Sequence, residues 1–271
     1  SMTYVSEYKA NIPMYLYALV NKDLDIYKNE EIIPSNETEQ NSNDRGEILL
    51  KEANDNAIII AYNKANKKCD ITKSKLIITY IEDDSNTNLN VGDEIIRIDN
   101  KNINNKEEAI NIIKTHNIGD KITLKIKRNN KIYNKYAYLK KDKIIGILIS
   151  YDREIVTNPK IDIKYKDNEY GSSGGLMATL TIYNKLTSND ITNGKVIAGT
   201  GTIEEDGTVG EIDGIKYKLK GAVKNKADVF LVPSGDNYKE AIKLKKKNNY
   251  KIKIVEVKNI DDAIKYLEKG E

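Results

Sequence analysis

Apolar positions fall into three regimes along the chain. Residues 3–35 carry short apolar clusters broken by charge and punctuated by Pro13 and Pro34. Residues 35–46 are polar and turn-rich, which predicts a flexible surface loop. Ile48, Leu49, Ala53, Ala57, Ile60 and Ala61 then recur at helical spacing and predict a helix to about Lys67.

Residues 75–140 follow a period closer to two. Leu76–Ile81 predicts a strand. Val91–Asp99 predicts a turn running into an alternating strand, and Asn100-Lys101 a further turn. Residues 106–115 predict a short helix with Ala109, Ile110 and Ile113 on one side. Gly119-Asp120 is a turn, Ile122–Arg128 alternates cleanly, and Asn129-Asn130 turns the chain into Lys131–Tyr138.

From about Ile144 the pattern is strand-rich and then alternates with helices. Strands are predicted at Ile161–Tyr165, Val196–Ile203, Val229–Pro233 and Ile252–Val257. Helices are predicted after the Gly/Ser turn at 171–175, over 215–226 and 237–247, and over Ile260–Lys269 with Asp261 and Asp262 in its first turn.

Composition narrows the function classes. Of 271 residues, 39% are hydrophobic and 31% charged, which predicts a soluble globular chain. Lys and Arg total 44 against 41 Asp and Glu, a near balance that argues against a nucleic-acid partner. Cys69 is the single cysteine, so no intrachain disulfide or cysteine metal cluster can form. His116 is the single histidine, read as a surface side chain, so any serine nucleophile needs another base. No metal or other cofactor is expected. No apolar run approaches the ~20 residues that span a bilayer. The opening Ser1-Met2 has the look of a cloning remnant, so an upstream signal or anchor is not excluded.

Two segments carry candidate chemistry. Gly171-Ser172-Ser173-Gly174-Gly175 opens an apolar helix: small neighbours admit a peptide closely, and a helix N-terminus offers free amides to an oxyanion. Alone, such a turn is equally an ordinary cap or a phosphate cradle. Downstream, Asp213-Gly214-Ile215-Lys216-Tyr217-Lys218 opens another helix. Together the two resemble the Lon protease catalytic domain, in which a Gly-Pro-Ser-Ala-Gly turn holds the nucleophile and a Gly-Gly-Ile/Leu-x-x-Lys motif the base. The resemblance implies Ser173 as nucleophile and Lys218 as general base, with Thr200 of Thr200-Gly201 orienting the lysine and Gly171, Ser172 and Gly174 supporting the turn. Ser172 stands where the family has proline, Tyr170 where Lon has an acidic residue, and Asp213 where the base motif has its first glycine. Gly46–Ala57 looks like the first long helix of the same domain. A lysine base near neutral pH needs its pKa brought from ~10.4 to about 7, mostly by desolvation. Lys216 and Lys220 are expected to point away into solvent.

Residues 75–140 resemble a bacterial-type PDZ domain, on Val91–Lys101, the helix after it, Gly119-Asp120-Lys121 and the strand ending Lys127-Arg128-Asn129. Such modules bind peptides by strand addition, which the resemblance assigns to Leu76, Ile77 and Ile78. The loop expected to cap a peptide carboxylate, Lys73–Ile78, has no glycine, so weak binding is expected.

The fold class implied is α+β: a Lon-type proteolytic domain (1–70 and 142–271) interrupted by a PDZ-like β-sandwich or barrel module (71–141). The order resembles the membrane-anchored, PDZ-containing Lon-like proteases of Gram-positive-type bacteria. It implies an ATP-independent endopeptidase acting on unfolded or exported polypeptides, facing outward from the cell membrane through an anchor outside this chain, and assembling as a hexameric ring. No Walker-type phosphate loop occurs. The alternative is an inert Lon-like scaffold serving as a PDZ adaptor.

Overall fold

The computed structural model describes residues 2–3, 5–21, 23–33, 37–164 and 169–270. Three helices come first: α1 (Ile12–Val20), α2 (Asn29–Ile32) and α3 (Glu39–Lys64). A sheet region follows, with β1 (Lys68–Ile81), β2 (Glu94–Ile98), β3 (Lys101–Asn102), α4 (Lys106–Lys114), β4 (Lys121–Arg128), β5 (Lys131–Tyr138) and β6 (Ile147–Asn158). The last part alternates: α5 (Gly175–Leu186), β7 (Ile197–Gly199), α6 (Ile215–Lys224), β8 (Val229–Pro233), α7 (Asp236–Asn248), β9 (Lys253–Val257) and α8 (Ile260–Glu268).

The alternating part is built on a parallel sheet in the order β7-β8-β9. Parallel neighbours need a crossover, and α6 and α7 supply the two here. Strand β8 is buried along its whole length, as a central parallel strand covered on both faces must be. Its side chains alternate between two cores. Val229 and Leu231 join Leu176, Leu180, Ala57, Ile60 and Ile264 from α5, α3 and α8. Phe230 and Val232 join Ile215, Leu219, Ala222 and Ala241 from α6 and α7.

The other sheet is antiparallel in the order β5-β4-β2-β1-β6, with β3 paired to β2. Its core holds Leu76, Ile78, Ile95, Ile98, Ile122, Leu124 and Ile126 with Ala109 of α4. Strands β1 and β6 pair from Lys68↔Asn158 to Ile81↔Ile147, so one long ribbon passes from the parallel-sheet half into the antiparallel core. β1 runs through the expected boundary at residue 71, where its register against β6 shifts between Ile71 and Lys73.

Several local expectations are corrected. The stretch 35–46 is not a loop where it is described. Thr38 caps α3 by accepting from the Asn41 N–H, Arg45 pairs with Glu37, and Gly171 N–H donates to Gly46 O. Side-chain capping and this tertiary contact outweigh the turn-rich composition; Pro34, Ser35 and Asn36 lie outside the described residues. Residues 161–164 have no regular structure and Tyr165 lies outside the described residues. The strand predicted over Val196–Ile203 shrinks to the three residues of β7: Thr200 N–H still bonds Leu231 O of β8, and Gly201 N–H then turns to Ser173 O. Ile110 is exposed; Ala109, Ile112 and Ile113 form the packed side of α4.

Beneath the ribbon lies a buried polar cluster. Arg153, 6% exposed, bonds Asn56 Oδ1 at 2.8 Å and Glu205, and stacks 4.1 Å over the Tyr151 ring. Its backbone N–H donates to Asp55 Oδ2 at 3.1 Å, and Asn56 Nδ2 donates to Ile203 O at 3.0 Å. Ile203 in turn packs where a Cβ on Gly175 would fall. The cluster therefore fixes α3, β6 and the 203–205 loop to the turn that opens α5.

Candidate active site and peptide groove

Gly171 has φ +84°, a left-handed value that a side chain would disfavour, and it turns the chain sharply before α5. Gly175 N–H donates to Ser172 O, Leu176 N–H to Gly201 O and Gly201 N–H to Ser173 O. This stitching fixes Ser173 on the turn, half-buried, facing α6. Gly214, with φ +78°, opens α6, and Ile215, Lys218 and Leu219 form the buried face of that helix. Lys218 is 4% exposed, an unusual setting for a lysine.

The structure brings these residues together. Lys218 Nζ lies 2.8 Å from Ser173 Oγ and 3.2 Å from Thr200 Oγ1. The Thr200 hydroxyl donates to Ser173 O at 3.0 Å, so its lone pairs face the lysine and fix the position of Nζ. Burial pushes the Lys218 pKa down to about 8, against the opposing pull of the Asp213 carboxylate. A pKa of about 8 leaves about a tenth of the amine neutral at pH 7, enough to accept a hydroxyl proton.

Gly171 N–H is committed to Gly46 O, so it is not free for an oxyanion; the amides of Ser173 and Gly174 stand closer to the helix start. Lys216 and Lys220 point away from Ser173, as their spacing on α6 requires. They are paired there, with Asp25 and Asp23. His116 is not a free surface side chain. It is half-buried, with Nε2 2.8 Å from Asp99 Oδ2 and Nδ1 3.1 Å from Ile112 O, within the antiparallel part.

The expected peptide edge is the plainest correction. Leu76, Ile77 and Ile78 are buried inside the sheet. Leu76 pairs with Ile95 on one side and Tyr151 on the other, and Ile77 with Glu94 and Ser150, so no partner strand can be added there. The sheet ends at β5 and β6, and the edge beside α4 belongs to β6. The N–H groups of Tyr151 and Arg153 face away from β1 and donate to Glu52 and Asp55, so by the two-residue alternation those of Ile147 and Ile149 face the same way. Helix α4 stands beside this edge. Lys106 N–H donates to Tyr151 Oη at 3.0 Å, and Ile112 and Ile113 share a core with Ile147 and Ile149. A glycine does precede this strand: Gly146, φ +66°, follows Ile144-Ile145. A lone glycine inside an apolar run ahead of a strand was the available signal; it lay at the far end of the module from where it was sought.

Residues 54–135 match the PDZ domain family, and the chain carries a PDZ domain. A 43-residue stretch is 46% identical to "Protease Do-like 8, chloroplastic" of Arabidopsis thaliana, covering 16% of this chain. The matched stretch spans only 10% of that relative's length. Among solved structures, the PDZ domain of an SdrC-like protein of Listeria monocytogenes is 22% identical at a TM-score of 0.26, covering 30% of this chain and 92% of that one. The second domain of another Listeria protein is 25% identical at a TM-score of 0.25, covering 31% of this chain and 88% of that one. No helix among the described residues is long and apolar enough to cross a membrane.

Proposed function

We propose that the chain is a Lon-type serine endopeptidase working without ATP, whose PDZ domain holds polypeptide near the dyad. The observation that carries this reading is a 2.8 Å contact between Ser173 Oγ and a buried lysine whose pKa is drawn down to about 8. Neutral Lys218 takes the Ser173 proton as Oγ attacks the peptide carbonyl. The tetrahedral oxyanion then falls to the Ser173 and Gly174 amides at the start of α5. Lys218, now cationic, returns its proton to the leaving amine, and water hydrolyses the acyl-enzyme by the reverse proton path. Thr200 holds Nζ in line throughout. The hexameric ring and the outward-facing, membrane-anchored location are part of the same proposal.

The test is cleavage of an unfolded protein such as reduced casein by the purified chain without nucleotide. Its kcat/KM is expected to climb about tenfold per pH unit below about 8 and to level off above it, as the free enzyme's lysine loses its proton. A flat profile from pH 6 to 9, or no cleavage at any pH, would reject Lys218 as the base.

For the PDZ domain we propose strand addition along Ile147–Ile149, with the peptide lying between β6 and α4 and its carboxylate at the Gly146 turn. This replaces the expectation of weak capture. Peptides with apolar C-termini are expected to bind about tenfold tighter with a free carboxylate than when amidated, roughly the value of one or two charge-assisted hydrogen bonds. Calorimetry on the Ser173→Ala chain measures this, and equal affinities would remove the carboxylate from the site.

A further inference from the structure

We propose that the outer edge of β7, with the space over Gly174 and Gly214, is the channel in which an extended polypeptide lies against Ser173, and that Met2, Thr3 and Val5, with Met2 standing at the place of whichever residue precedes Thr3 in the natural protein, occupy it as a competitor. The proposal rests on the reading of Ser173 as nucleophile.

One edge of β7 is taken by β8; the other is open to pairing. Met2 pairs with Gly199 in parallel there, and Thr3 Oγ1 donates to Gly199 O at 3.1 Å. Met2 Sδ lies 2.6 Å from the place a Cβ on Gly174 would occupy, and Val5 Cγ2 lies 3.0 Å from that of Gly214. Each of these glycines lies close in sequence to Ser173, Thr200 or Lys218. Gly174 follows Ser173, Gly199 precedes Thr200, and Gly214 opens the helix of Lys218. One short segment thus touches all three, in the extended pairing by which sheet edges take peptides. Lack of a side chain at Gly174 and Gly214 is what lets it approach so closely there.

The segment is held lightly. Further along, Asp25 meets Lys216 and Tyr217, and Asp23 meets Lys220, all on α6. These contacts are at the surface, where each ion pair adds little. Between these and the β7 contact lie α1, with no buried residue, and one more surface ion pair, Lys9 with Glu39 of α3 at 2.6 Å. An arm attached in this way opens at small cost, and a ligand for the channel binds only in proportion to the time the arm is away.

The experiment uses the full chain carrying Ser173→Ala, so that nothing is turned over. The probe is a fluorescein-labelled Met-Thr-Tyr-Val-Ser peptide, amidated to keep its C-terminus from the PDZ groove. Fluorescence anisotropy is expected to show about tenfold tighter binding when the arm carries Met2→Gly and Thr3→Val, the gain expected if the arm covers the channel about nine-tenths of the time. Gly174→Ala is expected to weaken probe binding, since the three atoms nearest its added methyl all belong to Met2. Hydrogen exchange on the probe-saturated parent should show faster exchange at residues 3 and 5 and continued protection at 197–199. Equal affinity with and without the arm substitutions would overturn the proposal, and so would no binding to either chain. Failure of the protease reading would show separately, as absence of cleavage by the wild-type chain with probe binding intact.

Discussion

Lys218→Met is expected to lose cleavage by roughly 10⁴-fold or more while making the protein more stable at neutral pH. The two effects share one origin. The amine is held in a site that disfavours its charge, with a folded-state pKa of about 8 against an ordinary 10.5. Between those values the unfolded chain binds the extra proton, so stability rises with pH across that window. Below about pH 8 the folded protein carries the full penalty of a buried ammonium. Methionine fills a similar volume without charge, and the gain is expected at about 1–3 kcal/mol at pH 7, shrinking to nothing by about pH 10. Loss of the bonds to Ser173 and Thr200 subtracts from it. Ser173→Ala is expected to lose the same activity with no such pH-dependent gain, whereas Ser172→Ala keeps most of its rate. Urea unfolding at pH 7 and pH 10, beside a casein assay, separates these outcomes. A Lys218→Met chain that still cleaves would end the dyad, and one destabilised equally at both pH values would mean that the lysine is not buried at a cost.

Ser173 and Lys218 were candidates in the sequence through two motifs that resemble the Lon catalytic domain, and the opposition between stability and chemistry adds a local signal at the lysine. A lysine three places into a helix, between Ile215 and Leu219 on the apolar face, violates the pattern that the rest of α6 obeys. A Gly-Ser turn ahead of an apolar helix is likewise a local signal. The long helix with Ala57 and Ile60, the alternation of β4 and the wholly apolar β8 were legible for the same reason: each is decided by residues close in sequence. What was not legible depends on distant partners. Residues 39–46 are helical because Thr38 caps them and because Gly46 meets Tyr170 and Gly171, more than a hundred residues on. Leu76–Ile78 reads as a strand, but only the pairing of β1 with both β2 and β6 shows it to be interior. The Gly146 turn was hidden by strand order: the edge strand beside α4 is the last of the antiparallel part, not the first. Nothing in the composition of residues 2–5 points to β7.

Breaking the Asp93–Arg128 pair is expected to cost most of the stability of the antiparallel half. Asp93 is fully buried in the turn before β2, where its carboxylate accepts from Arg128 Nε at 2.6 Å, from Arg128 Nη2 at 2.7 Å and from Asn90 N–H at 2.8 Å. The same residue's carbonyl accepts from Ile78 N–H, so the turn holds the junction of β1 and β2 as well. The two partners are not equivalent. The Arg128 side chain is 26% exposed and can turn to water if the carboxylate goes; the carboxylate has no such route if the guanidinium goes. Arg128→Met is therefore expected to cost about 3–5 kcal/mol, the penalty of an uncompensated buried charge. Asp93→Asn keeps acceptors for Asn90 and one arm of the guanidinium, and is expected to cost about 1–2 kcal/mol. Because the antiparallel core is separate from the two that flank β8, amides of β4 and β5 should lose hydrogen-exchange protection first, while those of α5 and α6 keep theirs. The shared β1–β6 ribbon sets the limit of that separation. If Arg128→Met lowers protection equally at Lys218 and at Leu124, the ribbon couples the halves into one unit, and the dyad cannot be formed without the PDZ sheet. If Asp93→Asn proves as costly as Arg128→Met, the carboxylate's charge is not what the turn depends on.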